Sequence, residues 1–267
     1  MRHSCLWMAR NYILGLAKGK HMTDIDRSQF YSGGFFLIRA GHPGWKELDA
    51  ELIPPKIVSL SDCMNTKFNI IWTWTTGDKE VALEIGIPES KWDELKIWCT
   101  DKFQKQIDLG GVFTSKQVAQ QFIKQFIPDT TDLYLIEVGL PIYIEQQFWQ
   151  DEPSELQTDA CIESIIAKHL PVSEDGVILG FDVIGMEYSN LSHSWFCTYI
   201  HRDMFELYGI KSNALGLLDE YEDAKKVYEW IEQDENKRAR AELVPYDFWL
   251  VVSHALEDET ENPPTEK

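Results

Sequence analysis

Basic residues are scarce in this chain: 25 Lys and Arg stand against 44 Asp and Glu, a formal net charge of −19. A surface potential of that sign repels nucleic-acid phosphates and anionic lipid headgroups, so neither is an expected partner. Long apolar runs are missing as well, and no stretch approaches the roughly 18 residues that a membrane helix needs. Cysteine is sparse and scattered: Cys5, Cys63, Cys99, Cys161 and Cys197 form no CxxC pair and are odd in number. That is not a secreted disulfide framework; it points to a reducing compartment, the cytoplasm. The motifs of phosphate loops, dinucleotide-binding turns, zinc proteases, serine-hydrolase elbows and EF-hands are all absent, so no cofactor and no metal are expected.

What is present is a large apolar complement, 44% of the 267 residues, with ten Trp, ten Tyr and thirteen Phe. That is ample for a packed core, with rings left over for a binding surface. Phe35–Ile38, Ile70–Trp74, Leu133–Val138, Val177–Tyr188 and Phe248–Val252 read as strands from their β-branched and aromatic content. Between them the period turns helical. Leu95, Trp98, Cys99 and Phe103 follow an N-cap at Ser90, and Gly110-Gly111 stops that helix. Val118, Phe122 and Phe126 follow Thr114 with Gln117 in capping-box spacing, and Ala224, Val227, Tyr228 and Ile231 follow Asp219 with Glu222. A helix over about 194–208 carries Phe196, Tyr199, Ile200, Met204 and Leu207, with Gly209 closing it.

The fold class expected is α/β or α+β, a mixed sheet flanked by helices. Residues 1–21, basic where the rest is acidic, read as a dispensable extension before Met22. Residues 22–142 and 173–256 read as two α/β halves, joined by the acidic segment 143–172 and followed by a flexible tail, 257–267. Each half runs strand, helix, Gly-apolar turn, capped helix, strand. The turns are Gly111-Val112-Phe113-Thr114 and Gly216-Leu217-Leu218-Asp219. An internal duplication explains this order; so does the ordinary alternation of an α/β chain.

Candidate chemistry is thin. His193, Cys197 and His201 lie four apart on the expected helix and so share one face. They offer a Cys–His nucleophile pair for a hydrolase, although two histidines eight residues apart span about 12 Å of helix, too far to share one metal ion. The apolar neighbours Trp195, Phe196 and Tyr199 argue instead for an inert thiol. Glu137 and Glu187 are general-base candidates on strands if they face inward, and ordinary solvent-facing carboxylates if not. The leading expectation is a non-catalytic protein-binding protein of immunity or inhibitor type. It would neutralise a basic partner, such as a toxin or nuclease, through Trp149, Asp151, Glu152, Glu155, Asp219, Glu220, Tyr221, Glu222 and Asp223. A Cys/His hydrolase and a cytosolic scaffold are the alternatives.

Overall fold

A strand buried on both faces still needs partners for its N–H and C=O groups on both edges, and the apolar runs of this chain supply them to one another. The structure is a computed structural model describing residues 25–41, 51–67, 79–106, 113–148, 159–187, 190–233, 235–236 and 244–257. In it β1 (Phe30–Arg39) pairs with the short β2 (Thr66–Lys67) on one edge and with β3 (Leu133–Pro141) on the other. Next to β3 lies β6 (Tyr246–His254), then β4 (Val177–Glu187) and β5 (Asn190–Ser194). The sheet order is β2-β1-β3-β6-β4-β5. The helix-and-sheet class holds in its α+β form, but every pairing is antiparallel, where a mixed sheet was expected. The reason is β2 and β5, which sequence reading missed. Each reverses the chain before the helices, so the strand after the helices returns antiparallel to β1 or β4.

Helices α1 (Glu80–Ile85), α2 (Trp92–Gln106) and α3 (Lys116–Phe126) lie between β2 and β3. The acidic segment contributes α4 (Tyr143–Phe148) and α5 (Asp159–Lys168), and α6 (Ile200–Tyr208) and α7 (Tyr221–Ile231) precede β6. No helix among the described residues is long and apolar enough to cross a membrane. An eleven-residue helix such as α3 is marginal alone. Burial of Phe122 and Phe126, roughly 2 kcal/mol each, holds it on the sheet beside Phe35, Leu37 and Leu135. On the same face α7 places Ala224, Val227 and Ile231 against Phe181, Phe248 and Leu250. The opposite face takes Ile162, Ile165 and Ile166 of α5, with Val58 and Leu60, against Ile136, Val138, Trp249 and Val251.

The register shows two like halves. Phe35↔Glu137 in the first is answered by Phe181↔Leu250 in the second, Ile38↔Tyr134 by Ile184↔Asp247, and Ser32↔Gly139 by Ile178↔Val252. At the centre Val138 faces Val251, and Glu137↔Val252 on one side mirrors Gly139↔Leu250 on the other. A local twofold axis therefore passes through the Val138–Val251 pair, perpendicular to the sheet. Both halves also bulge at a glycine with positive φ, Gly34 (97°) and Gly180 (138°). The Phe after each bulge exchanges two backbone hydrogen bonds with the residue ahead of the next helix: Phe35 with Phe113 at 2.9 and 2.8 Å, Phe181 with Leu218 at 2.8 and 2.8 Å.

Several boundaries differ from the sequence reading. The N-cap of α3 is Ser115, whose Oγ accepts from Val118 N, rather than Thr114. The N-cap of α7 is Glu220, with no side-chain cap, rather than Asp219, whose Oδ1 accepts from Asn213 Nδ2 at 2.8 Å. In both cases the bridge to the preceding Phe holds the chain extended one residue longer. Ser90 lies in a single 3-10 turn (Glu89–Lys91) that leads into α2. The expected strand Ile70–Trp74, Gly110-Gly111, the 1–21 extension and nearly all of the tail lie outside the described residues.

A Cβ on Gly180 would meet Leu218 O at 2.6 Å, whereas one on Gly209, also at positive φ (71°), meets nothing within 4 Å. Gly209→Ala should thus cost only the left-handed backbone penalty of about 1 kcal/mol. Gly180→Ala must also break the Phe181–Leu218 bridge and should cost at least about 3 kcal/mol, read from urea-unfolding midpoints. Equal losses would mean that the bridge contributes nothing.

Candidate functional site

The sequence Ile57–Asn65 has no regular structure, yet Ile57, Val58, Ser59, Leu60, Ser61, Met64 and Asn65 are buried, so its backbone must be satisfied by other means. Asp182 of β4, itself fully buried, accepts from Ser59 Oγ at 2.8 Å and Leu60 N at 2.7 Å. Asn65 Oδ1 takes Ser59 N at 2.6 Å, and its amide donates to Ile57 O at 3.0 Å. Three links reach the second half: Val58 N to Leu215 O (2.8 Å), Asp62 N to Leu191 O (3.0 Å) and Ser61 Oγ to Ser192 O (2.5 Å).

This clamp carries Cys63 to Cys197, with the sulfurs 2.8 Å apart. Ser61 Oγ is 2.9 Å from Cys63 Sγ, and Cys197 Sγ donates to Ser194 O at 2.9 Å. Both thiols are free and half-buried. The Cys197 hydrogen bond lowers the Cys63 thiol to about 6, against the desolvation of a half-buried site; Ser194, Ser61 and His193 add to the lowering. Cys197 moves the opposite way, raised by that same hydrogen bond and by burial, because two adjacent thiolates repel each other. Within the pair Cys63 is the thiol more readily ionised. No local pattern in the sequence relates the two cysteines, 134 positions apart.

The expected helical arrangement of His193, Cys197 and His201 is overturned. His193 lies on β5 opposite Gly185, Cys197 lies in a turn, and only His201 is helical, because α6 begins at Ile200. Pairing with β4 claims the backbone of 190–194, and Ser194 Oγ then accepts from Phe196 N to start the turn. His193 and Cys197 do reach a common site, with Cys63. His201 is instead buried against the rings of Phe196, Tyr199 and Trp195. Among the described residues no group of three His, Cys, Asp or Glu side chains is placed to hold a metal ion.

Glu137 does face inward. It is 1% exposed, and accepts from Ser32 Oγ at 2.7 Å and from Ser173 N, with His254 Nε2 at 2.9 Å. His254 in turn approaches Asp175, which is ion-paired with Lys116 at the start of α3. Burial raises the Glu137 carboxyl, but the hydrogen bonds from His254, Ser32 and Ser173 together outweigh it and hold it below the ordinary range. A carboxylate so fully engaged joins β1, β3, β6 and the 173–176 loop, and is a poor base. The side chain of Glu187 lies outside the described residues.

Trp149, Asp151, Glu152 and Glu155 also lie outside the described residues. Asp219, Glu220 and Glu222 are exposed at the start of α7, where carboxylates suit the helix dipole. Asp223 is half-buried there, and Tyr221 packs on Phe181 and Phe248 at 5.9 and 5.2 Å. Sequence reading missed the exposed apolar side chains of α6. Leu207 is exposed rather than part of the core, as are Phe205, Tyr208 and the preceding Tyr199, at 36–58% exposure. Arg202, Lys211 and Lys226 lie over the rings of Tyr199, Phe205 and Tyr208 at 5.1, 4.5 and 5.0 Å. The chain matches no family model, no curated protein and no solved structure.

Two outcomes follow from these geometries. The folded-state value of Glu137 lies below its unfolded value of about 4.3. Its contribution to stability is therefore fully present above that pH and is lost as pH falls through the lowered value. Glu137→Gln should cost about 3 kcal/mol at pH 7 and flatten the fall in unfolding midpoint on acidification; an unchanged acid slope would show that the carboxylate is not engaged. Iodoacetamide should label Cys63 in the native protein with a rate that rises through pH about 6. Cys99, buried in apolar surroundings and pushed up to about 12, should label only on unfolding.

Proposed function

We propose that the protein is a non-catalytic binding protein of immunity or inhibitor type, whose acidic surface captures a basic protein. The observation that carries this reading is the exposed apolar surface of α6. Tyr199, Phe205, Leu207 and Tyr208 expose large side chains around this helix on a chain of net charge −19. Lys226 over Tyr208 links that surface to α7. Glu222 lies one turn away from Lys226 on the same side of that helix. Along α6, α7 and the segment joining them the carboxylates of Asp203, Glu206, Asp219, Glu220, Glu222, Asp223 and Glu229 outnumber the cations Arg202, Lys211, Lys225 and Lys226. Arg202, Lys211 and Lys226 cover the faces of Tyr199, Phe205 and Tyr208, at about 0.5–1 kcal/mol each when exposed, and a partner's arginines would compete for them. Trp149, Asp151, Glu152 and Glu155 remain partner-binding candidates on composition alone. A cysteine enzyme is the second reading; the low Cys63 thiol favours it, with Cys63 rather than Cys197 as nucleophile and His193 beside it.

Binding of a high-pI protein from the native host tests the first reading. Charge reversal at Glu220 and Glu222, or added salt, should slow association with little change in dissociation. Phe205→Ala with Tyr208→Ala should speed dissociation at least tenfold, about 1.4 kcal/mol. If the captured protein binds equally well in high salt and to the double variant, α6 is not the binding face.

A further inference from the structure

We propose that Cys63 and Cys197 form a redox-active dithiol that closes to a disulfide between the two halves by exchange with a low-molecular-weight disulfide. Four observations carry it. The sulfurs are 2.8 Å apart, closer than van der Waals separation, so reaching bond length needs them to close by less than about 1 Å. Both thiols are half-buried, within reach of a small reagent, whereas Cys99 is sealed in a core cluster. The surroundings are polar on one side: Ser61 Oγ at 2.9 Å from Cys63, Ser194 O at 2.9 Å from Cys197, and His193 next in sequence to Ser194. Finally, the segment bearing Cys63 is fixed to the second half by Asp182 and Ser61 and braced internally by Asn65, which holds together two thiols 134 positions apart. Two apolar thiols that merely fill space would need none of this clamping.

The exchange balances in two steps. The Cys63 thiolate attacks one sulfur of the small disulfide; its S–S bond breaks, a mixed disulfide forms on Cys63, and the departing thiolate takes a proton from water. Cys197 then gives up its proton and attacks the Cys63 sulfur. The Cys63–Cys197 bond forms, and the second small thiolate leaves and is protonated. The protein dithiol has lost two electrons and two protons, and the small disulfide has become two thiols. The order is set by the pair: Cys63 attacks first, and Cys197, which holds its proton more tightly, resolves. The inference stands apart from the binding of a partner, since it concerns the turn ahead of α6 and the 57–65 segment.

The test is incubation of the full chain in glutathione buffers of graded ratio, acid quenching, alkylation and peptide mass spectrometry. The native protein should yield a linked Cys63–Cys197 peptide at the oxidising end while Cys99 stays alkylatable after unfolding. Cys197→Ser, lacking the resolving thiol, should accumulate glutathione on Cys63 at least tenfold more than Cys63→Ser accumulates it on Cys197. Absence of the linked peptide across the whole range would overturn the proposal. So would a linked peptide seen only in denaturant, or glutathione carried equally by the two variants. Circular dichroism of both variants keeps misfolding distinct from lost chemistry, and if Cys63→Ser is unfolded the native protein's linked peptide decides alone.

Discussion

The ladder between β3 and β6 is the contact on which the other elements depend. It joins the last strand of each half, and both strands are buried on both faces, so neither could leave the other without stranding backbone groups in a dry interior. Its centre, Val138 against Val251, sets a twofold relation that the bulges at Gly34 and Gly180 and the bridges at Phe113 and Leu218 then repeat outward. Helices α3 and α7 are each eleven residues long and hang from those bridges at equivalent places on one face. Glu137 breaks the symmetry: its counterpart is Leu250, and the buried carboxylate gathers Ser32, Ser173 and His254 at the seam.

The other departure from symmetry is the Ile57–Asn65 segment. It is an irregular piece of chain running through the interior, an arrangement tolerable only with a partner for each polar group. Asp182 and Asn65 supply several of them from side chains, in place of a neighbouring strand. The consequence is chemical as well as structural. A first-half cysteine is delivered beside a second-half cysteine and histidine, and the hydrogen bond between the thiols splits their acidities.

The surface and the interior thus divide the functional possibilities. Outside, the chain presents charge and exposed rings, the material of recognition. Inside, it holds a polarised, half-buried thiol pair. The histidines and the strand carboxylate that looked like chemistry in the sequence are used in different ways: His193 beside the thiols, His201 among rings, and Glu137 as a fixed junction.

The sequence by itself determined the long strands Leu133–Val138 and Phe248–Val252, the helical stripes through Phe122 and Val227, and the repeated Gly-apolar turn. All are local signals of period or punctuation, and burial on the sheet only reinforces them. It also determined the charge that bounds the choice of partner. It did not reveal β2 or β5, because short edge strands take their shape from the ladder they join and carry little apolar pattern of their own. For that reason the strand at Asn190–Ser194 went unread and the helix was begun at about Ser194, which placed His193, Cys197 and His201 on one imaginary face. Only the tertiary structure decided that Glu137 points inward, that Leu207 points outward, and that Cys63 meets Cys197. Direction across a sheet, exposure of a helix face and contact between distant residues depend on what packs opposite, and no local spacing encodes that.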